Sequence, residues 1–276
     1  MNNINEYIDI SKWWFIIINM KKKILYIIKI IVLSFVIWAT TSSVVEHISI
    51  KKEINEFIKK GVYQDSISSD SVKYYAIYDE NETKEAFYYL NGIRYPGTLG
   101  DIMLGMRSPF PNSIFDPFLS FYVGGHAAFC GSEYYDQNLT INDFDCIEAT
   151  GINEDGSTTS RISNRDYWLD NEYRNEVIGL RVKCDEKTRE KAFNYAVSYI
   201  NDPYNFSFIF NTNKTKYCTD IISKAYQNVG INLNKDGVAV TVMDLMFNNN
   251  TYMFYYKYFD NDGITHIYYL TNNIQK

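Results

Sequence analysis

The chain has 276 residues, of which 46% are hydrophobic, and a formal net charge of −6. This length holds one large domain or two small ones, and the hydrophobic share is typical of a globular protein with a sizeable core. The first 45 residues carry a net charge of +3, so the remainder carries −9. An acidic body lacks the basic face that binding a phosphate backbone requires, so we expect no nucleic-acid partner.

The N-terminus has the layout of a secretory signal or membrane anchor. Three lysines at 21–23 precede an apolar run over residues 24–39, and small polar residues follow it. Extended to residue 45, the run is also long enough to span a bilayer, which needs about 20 residues. Because the cleavage pattern is poor, we favour a retained anchor over cleavage, with the lysines cytoplasmic and the body extracytoplasmic. Met20, directly before the lysines, is a candidate true start.

Hydrophobic patterning divides the rest of the chain into a stalk and one domain. We predict an amphipathic stalk helix over residues 46–61 and a single domain over residues 62–276. The apolar residues expected to face inward from the stalk are Ile48, Ile50, Ile54, Phe57 and Ile58. In the domain, turn-rich and β-rich segments predict two hairpins, one from residues 74–78 and 86–90 and one from residues 252–259 and 264–270. Further strands are predicted at residues 100–104, 121–131, 146–151 and 177–182, and a helix at residues 186–199.

Cys218 stands where a helix begins. Behind it, apolar residues recur at the spacing of one buried helical face, and Gly230 ends the run in the manner of a C-cap. At a helix start, unpaired backbone N–H groups and the positive end of the helix dipole favour a thiolate over a thiol. Such a thiolate can act as a nucleophile, although a free cysteine can equally be an inert core residue.

Two predicted strands can bring a histidine and a carboxylate together. If Cys130 lies opposite Cys146 in an antiparallel pair, Glu148 lies diagonally beside His126. A register shifted by two residues places His126 directly opposite Glu148 instead. The first register is equally compatible with a Cys130–Cys146 disulfide and with two small core thiols. Glycines at 124 and 125 permit close approach to the histidine.

A cysteine, a histidine and an acid form an arrangement that suits nucleophilic catalysis, because the imidazole can hold the thiolate while the carboxylate orients the ring. The four cysteines show no CxxC pair and no Cys/His spacing of a zinc site, so we expect no metal ligand among them.

The order of motifs resembles a known family. Residues 100–104 (GDIML), 125–129 (GHAAF), 146–149 (CIEA), 202–205 (DPYN) and 217–220 (YCTD) follow one another. This order is similar to that of the permuted NlpC-type papain-like cysteine hydrolases, the YiiX-like group, which are related to the lecithin retinol acyltransferase group. The resemblance covers about residues 98–245. It implies a permuted papain-like α+β fold, in which an antiparallel sheet packs against the nucleophile-bearing helix.

By the same resemblance Cys218 is the nucleophile, His126 the base and Glu148 the orienting residue, with no cofactor. Asp101 is a polar rival to Glu148. Tyr217, Thr219, Gly125 and Asp101 are weaker candidates for substrate binding.

The family implies acyl substrates, either the amide bonds of cell-wall peptides or the acyl chains of lipids. An aromatic loop over residues 109–122 and the membrane tether give a slight preference for a lipid-like acyl group. Hydrolysis and transfer of the acyl group both remain open, as does capture of Cys218 in a disulfide with Cys184. The alternative function is a membrane-anchored binding or structural protein without turnover.

Overall fold

A computed structural model of the chain describes residues 10–106, 114, 125–131, 134–136, 139–141, 145–150, 158–164, 166–172, 174–207, 214–235, 237 and 239–273. Most of the aromatic loop predicted at residues 109–122 therefore lies outside the described residues. The chain divides into two compact units, Met1–Ile48 and Ser49–Lys276.

The N-terminal helix α1 runs over Ile10–Ile58. Within the described residues, one helix is long and apolar enough to cross a membrane, over Ile18–Ile58, and a signal sequence near an N-terminus meets the same criterion. The stalk predicted at residues 46–61 is not a separate helix but the end of α1. Ile50, Ile54 and Phe57 are buried as expected, whereas Ile48 is 63% exposed, so the inward position predicted for Ile48 is wrong.

Thirteen strands are defined among the described residues, together with a short 3-10 helix at Asp65–Ile67. In chain order they are β1 Val62–Tyr63, β2 Val72–Tyr78, β3 Phe87–Leu90, β4 Ile93–Pro96, β5 Ile102–Gly105, β6 His126–Cys130, β7 Tyr134–Asp136, β8 Leu139–Ile141, β9 Asp145–Ala149, β10 Ser160–Asn164, β11 Glu176–Val182, β12 Thr251–Phe259 and β13 Thr265–Thr271. Nine of these described strands form one sheet in the order β1-β2-β13-β12-β11-β5-β6-β9-β10.

The resemblance implied an antiparallel sheet, and the described strands pair in that way except that β2 and β13 are parallel. The hairpin predicted from residues 74–78 and 86–90 is also wrong, since β2 pairs with β1 and β13 while β3 pairs with β4. The β3–β4 turn consists of Asn91 and Gly92, both with positive φ. An Asn-Gly pair of this kind is the preferred two-residue hairpin turn, and this local signal fixes β3 to β4. The terminal hairpin of β12 and β13 is confirmed.

The described residues of the second unit also form four short helices: α2 Asp166–Leu169, α3 Glu186–Val197, α4 Cys218–Gln227 and α5 Val242–Met246. The apolar spacing in α4 buries Ile221, Ile222 and Ala225 completely. Helix α4 contacts β6, β9 and α3, and β6 and β9 are the seventh and eighth of the nine strands in sheet order. It ends as predicted, because Gly230 has a φ of 87° and the Ile231 N–H closes the turn on the Tyr226 carbonyl.

Candidate active site

Strands β6 and β9 bring His126 and Glu148 together. Cys130 pairs with Cys146, which is the first of the two registers considered from the sequence and sets Glu148 diagonally beside His126. The Nε2 atom of His126 lies 2.7 Å from Oε2 of Glu148, and both side chains are buried. The alternation of the two strands therefore creates a histidine–carboxylate pair shielded from water.

The carboxylate of Glu148 is held ionised by positive neighbours. Arg161 stands opposite it on β10, with Nη2 3.2 Å from Oε1. Burial alone raises the pKa of Glu148, but the charges of His126, Arg174 and Arg161 outweigh burial and hold the pKa at about 2. At neutral pH this side chain can therefore accept a hydrogen bond from an imidazolium.

Cys218 is the first residue of α4 and is almost fully buried. Burial raises the pKa of its thiol, but the His126 imidazole and the backbone N–H groups of Ala127 and Thr219 more than compensate, so the pKa is lowered. For His126 burial lowers the pKa, but the charge of Glu148 and the Cys218 thiol outweigh burial, so the pKa of the imidazole is raised overall. These opposite directions are those of a thiolate–imidazolium pair.

The nitrogen left for the thiol is Nδ1 of His126, because Nε2 is engaged with Glu148. Nδ1 is buried and makes no hydrogen bond of regular geometry within the described residues. The imidazole thus has one nitrogen fixed by the carboxylate and one available to the sulfur.

The two neighbours of Cys218 hold the helix start in place. The Tyr217 hydroxyl accepts a hydrogen bond from the Val240 N–H at 2.6 Å, and the Thr219 hydroxyl donates to the Val240 carbonyl at 2.6 Å. Tyr217 and Thr219, which were predicted to line the site, are therefore both buried against the backbone of residue 240.

Asp101 and Gly125, which were weaker candidates for substrate binding, both have structural roles. Asp101 is fully buried and binds the Arg181 guanidinium through both oxygens at 2.8 Å, away from the histidine–carboxylate pair. A side chain at Gly125 would collide with the Gly105 carbonyl oxygen and come within 3.1 Å of the Met106 Cα. The close approach inferred from the glycine is thus an approach of backbone to backbone.

Four residues of the site were missed from the sequence: Arg161, which pairs with Glu148, and Trp168, Arg174 and Tyr204. The Trp168 ring stacks on His126, with centroids 6.1 Å apart and planes 10° apart, and the Arg174 guanidinium lies 5.0 Å over Trp168. Tyr204 is buried near Cys218, since burial and then the charge of that cysteine raise the pKa of its phenol. Trp168 lies between the strands predicted at residues 146–151 and 177–182, where no element was predicted, whereas Tyr204 lies in the motif at residues 202–205 but was given no role.

All four cysteines lie within the described residues, and none of them is in a disulfide. Cys130 and Cys146 are buried with their sulfurs 4.0 Å apart, so the disulfide considered from the sequence is not formed. Among the described residues there is no group of three or more His, Cys, Asp or Glu side chains that could hold a metal ion.

This geometry can be compared with known proteins. The model of a family described as "Permuted papain-like amidase enzyme, YaeF/YiiX" matches residues 123–257, which include His126, Glu148 and Cys218. The resemblance to the permuted papain-like hydrolases is confirmed. The strand that carries His126 precedes the helix that begins at Cys218, which is the permuted order, and the match supports a papain-like amidase or hydrolase.

Among solved structures, the chain is similar to a protein titled metalloprotein yiiX from Escherichia coli O157:H7. The two are 15% identical, and the alignment covers 58% of this chain and 96% of that one with a TM-score of 0.41. None of the curated proteins compared with the chain matches it.

Proposed function

We propose that the protein is an extracytoplasmic cysteine hydrolase or acyltransferase that acts on an amide or ester acyl group, either of a cell-wall peptide or of a lipid. The observation that carries this proposal is the combination at one point of a helix-start thiol with a lowered pKa and a buried histidine–carboxylate pair. The apolar α1 supports a membrane-tethered or secreted enzyme, with the tether at residues 1–45 and the catalytic domain at residues 62–276.

The reaction starts with attack of the Cys218 thiolate on the acyl carbonyl carbon. The His126 imidazolium then gives its proton to the leaving amine or alcohol, which leaves a Cys218 thioester. Water or an amine attacks the thioester while the imidazole takes up its proton, and the thiolate is expelled. Glu148 keeps the imidazole in the required tautomer throughout.

The oxyanion formed in each step needs donors. The backbone N–H groups at the start of α4 supply one set. We propose Tyr204 as a second donor, because its protonated phenol is buried near Cys218. We expect Tyr204→Phe to slow acyl transfer while leaving alkylation of Cys218 unchanged.

The test is the pH dependence of Cys218 alkylation by iodoacetamide in the full-length protein, read by mass spectrometry of the modified peptide. We expect Cys218 to react well below the ordinary thiol pKa of about 8.5, and His126→Ala to abolish this reactivity. Cys184 provides an internal reference in the same digest, because burial raises the pKa of its half-buried thiol.

Equal labelling of Cys218 with and without His126 would overturn the nucleophile assignment. The chain would then fit the alternative of a membrane-anchored binding protein better.

A further inference from the structure

We infer that Lys257, on a strand distant from the catalytic residues, is a positioning residue that holds Trp168 against His126. The inference rests on the proposed function and adds a residue to it.

Lys257 and His126 lie in one row across the sheet. His126 pairs with Gly105, Gly105 with Val177, and Val177 with Lys257, so the row crosses β6, β5, β11 and β12. Directly opposed residues of antiparallel strands point to the same face. Three strand spacings separate the ends of the row, roughly 14 Å.

Trp168 spans the middle of this row. The Cβ that an alanine at position 105 would carry lies 3.7 Å from the Trp168 ring and 3.1 Å from the Arg174 side chain. The indole therefore lies directly over β5 beside Gly105, where it stacks on His126. Trp168 is fully buried, so it covers the imidazole from solvent.

Lys257 binds the end of the short helix that carries Trp168. Its ammonium donates to the carbonyls of Trp168 at 3.2 Å and Leu169 at 3.0 Å, and to the Asn171 side-chain oxygen at 3.2 Å. These are terminal carbonyls of α2, which lack partners within a helix, and a cation is favourable there. Asn171 is itself fixed, since its amide donates to the Thr265 hydroxyl at 2.9 Å.

The residue type is informative because a buried lysine is costly. Lys257 is 1% exposed, and burial lowers its pKa to about 8, with Asp170 opposing and Arg174 adding to the shift. A leucine or methionine would fill the same space without that cost, so the ammonium has a role that its three acceptors define.

The primary experiment compares the pH profile of Cys218 alkylation in the wild type and Lys257→Met. Without the Lys257 ammonium, Trp168 no longer shields the His126 imidazole from water, which weakens the ion pair of His126 and Cys218. We therefore expect the pKa of the Cys218 thiol to rise by about one unit, which lowers the alkylation rate about tenfold near pH 6.5. Lys84→Met is the matched control, because Lys84 is a half-buried lysine whose ammonium likewise donates to a backbone carbonyl, that of Leu99 at 2.7 Å.

A second measurement follows Trp168 itself in the full chain with Trp13→Phe, Trp14→Phe and Trp38→Phe, which leaves Trp168 as the only tryptophan. We expect a fluorescence step near pH 8 that persists in His126→Ala and disappears in Lys257→Met.

The outcomes separate the two proposals. A lower melting temperature of Lys257→Met with an unmoved Cys218 profile would make Lys257 merely structural and overturn this inference, while the proposed function would stand. A wild-type Cys218 without a lowered thiol pKa would overturn the proposed function and this inference with it. A fluorescence step that disappears in His126→Ala but persists in Lys257→Met would assign the titration to His126 and would also overturn the role inferred for Lys257.

Discussion

Replacement of Glu148 by glutamine tests the electrostatics of the site through the stability of the fold. The isosteric amide can still accept the hydrogen bond from His126, but it carries no charge to attract the imidazolium or Arg161. The substitution therefore isolates the charge of the pair from its packing.

The magnitude follows from the pKa of Glu148. A fall from 4.5 to about 2 corresponds to about 3 kcal/mol of preferential stabilisation of the carboxylate, at about 1.4 kcal/mol for each pKa unit. Because the folded pKa is below the unfolded value, this stability is present above about pH 4.5 and is lost as the pH falls toward 2. The pKa of His126 is raised, so its share is present below its ordinary value of about 6.5 and is lost at higher pH. The two windows overlap between about pH 4.5 and 6.5.

The assay is urea unfolding of the full-length protein followed by circular dichroism across the acid range. We expect wild type to exceed Glu148→Gln by about 3 kcal/mol near pH 5.5, with the difference shrinking on acidification. Arg161→Gln is the control, because the Arg161 side chain is 30% exposed and its ion pair should contribute about 1 kcal/mol or less. A difference of the same size near pH 2.5 and pH 5.5 would refute the charge-based reasoning.

Three further predictions concern the scaffold. The Cβ that Gly125→Ala adds would overlap the Gly105 carbonyl oxygen, so we expect thermal unfolding to show a stability lower by about 3 kcal/mol or more. Gly237→Ala, with open space around its Cβ, should lower the stability by only about 1 kcal/mol. Asp101→Asn removes one of two buried carboxylates that pair with the Arg181 guanidinium and leaves Glu82 at 2.9 Å as the other, so we expect about 3 kcal/mol of destabilisation by urea unfolding; a variant as stable as wild type would contradict the role of the Asp101–Arg181 pair. Burial raises the pKa of Tyr256 and Tyr268, so stability should fall above about pH 10, where unfolded tyrosines ionise, and tyrosinate absorbance should rise with unfolding rather than before it.

Local sequence patterns determined the elements that carry the proposed chemistry. The apolar spacing after Cys218 defines one buried helical face, and it predicted α4 and its glycine end correctly. Alternation along β6 and β9 restricted His126 and Glu148 to one face and left only two registers, of which the structure has the first. The β12–β13 hairpin was equally predictable, because its turn lies within the segment itself.

Only the tertiary structure decided the partners that are distant along the chain. β2 pairs with β13 although nearly two hundred residues separate them along the chain, and no local sequence pattern predicts a parallel partner at that separation. Arg161 and Trp168 come from a segment for which no element was predicted, yet the fold places Arg161 beside Glu148 and Trp168 over His126. The role inferred for Lys257 depends on a row of four strands that forms only when the sheet is complete. Sequence periodicity fixes which face a residue occupies, whereas neighbours and pKa values depend on non-local packing and burial.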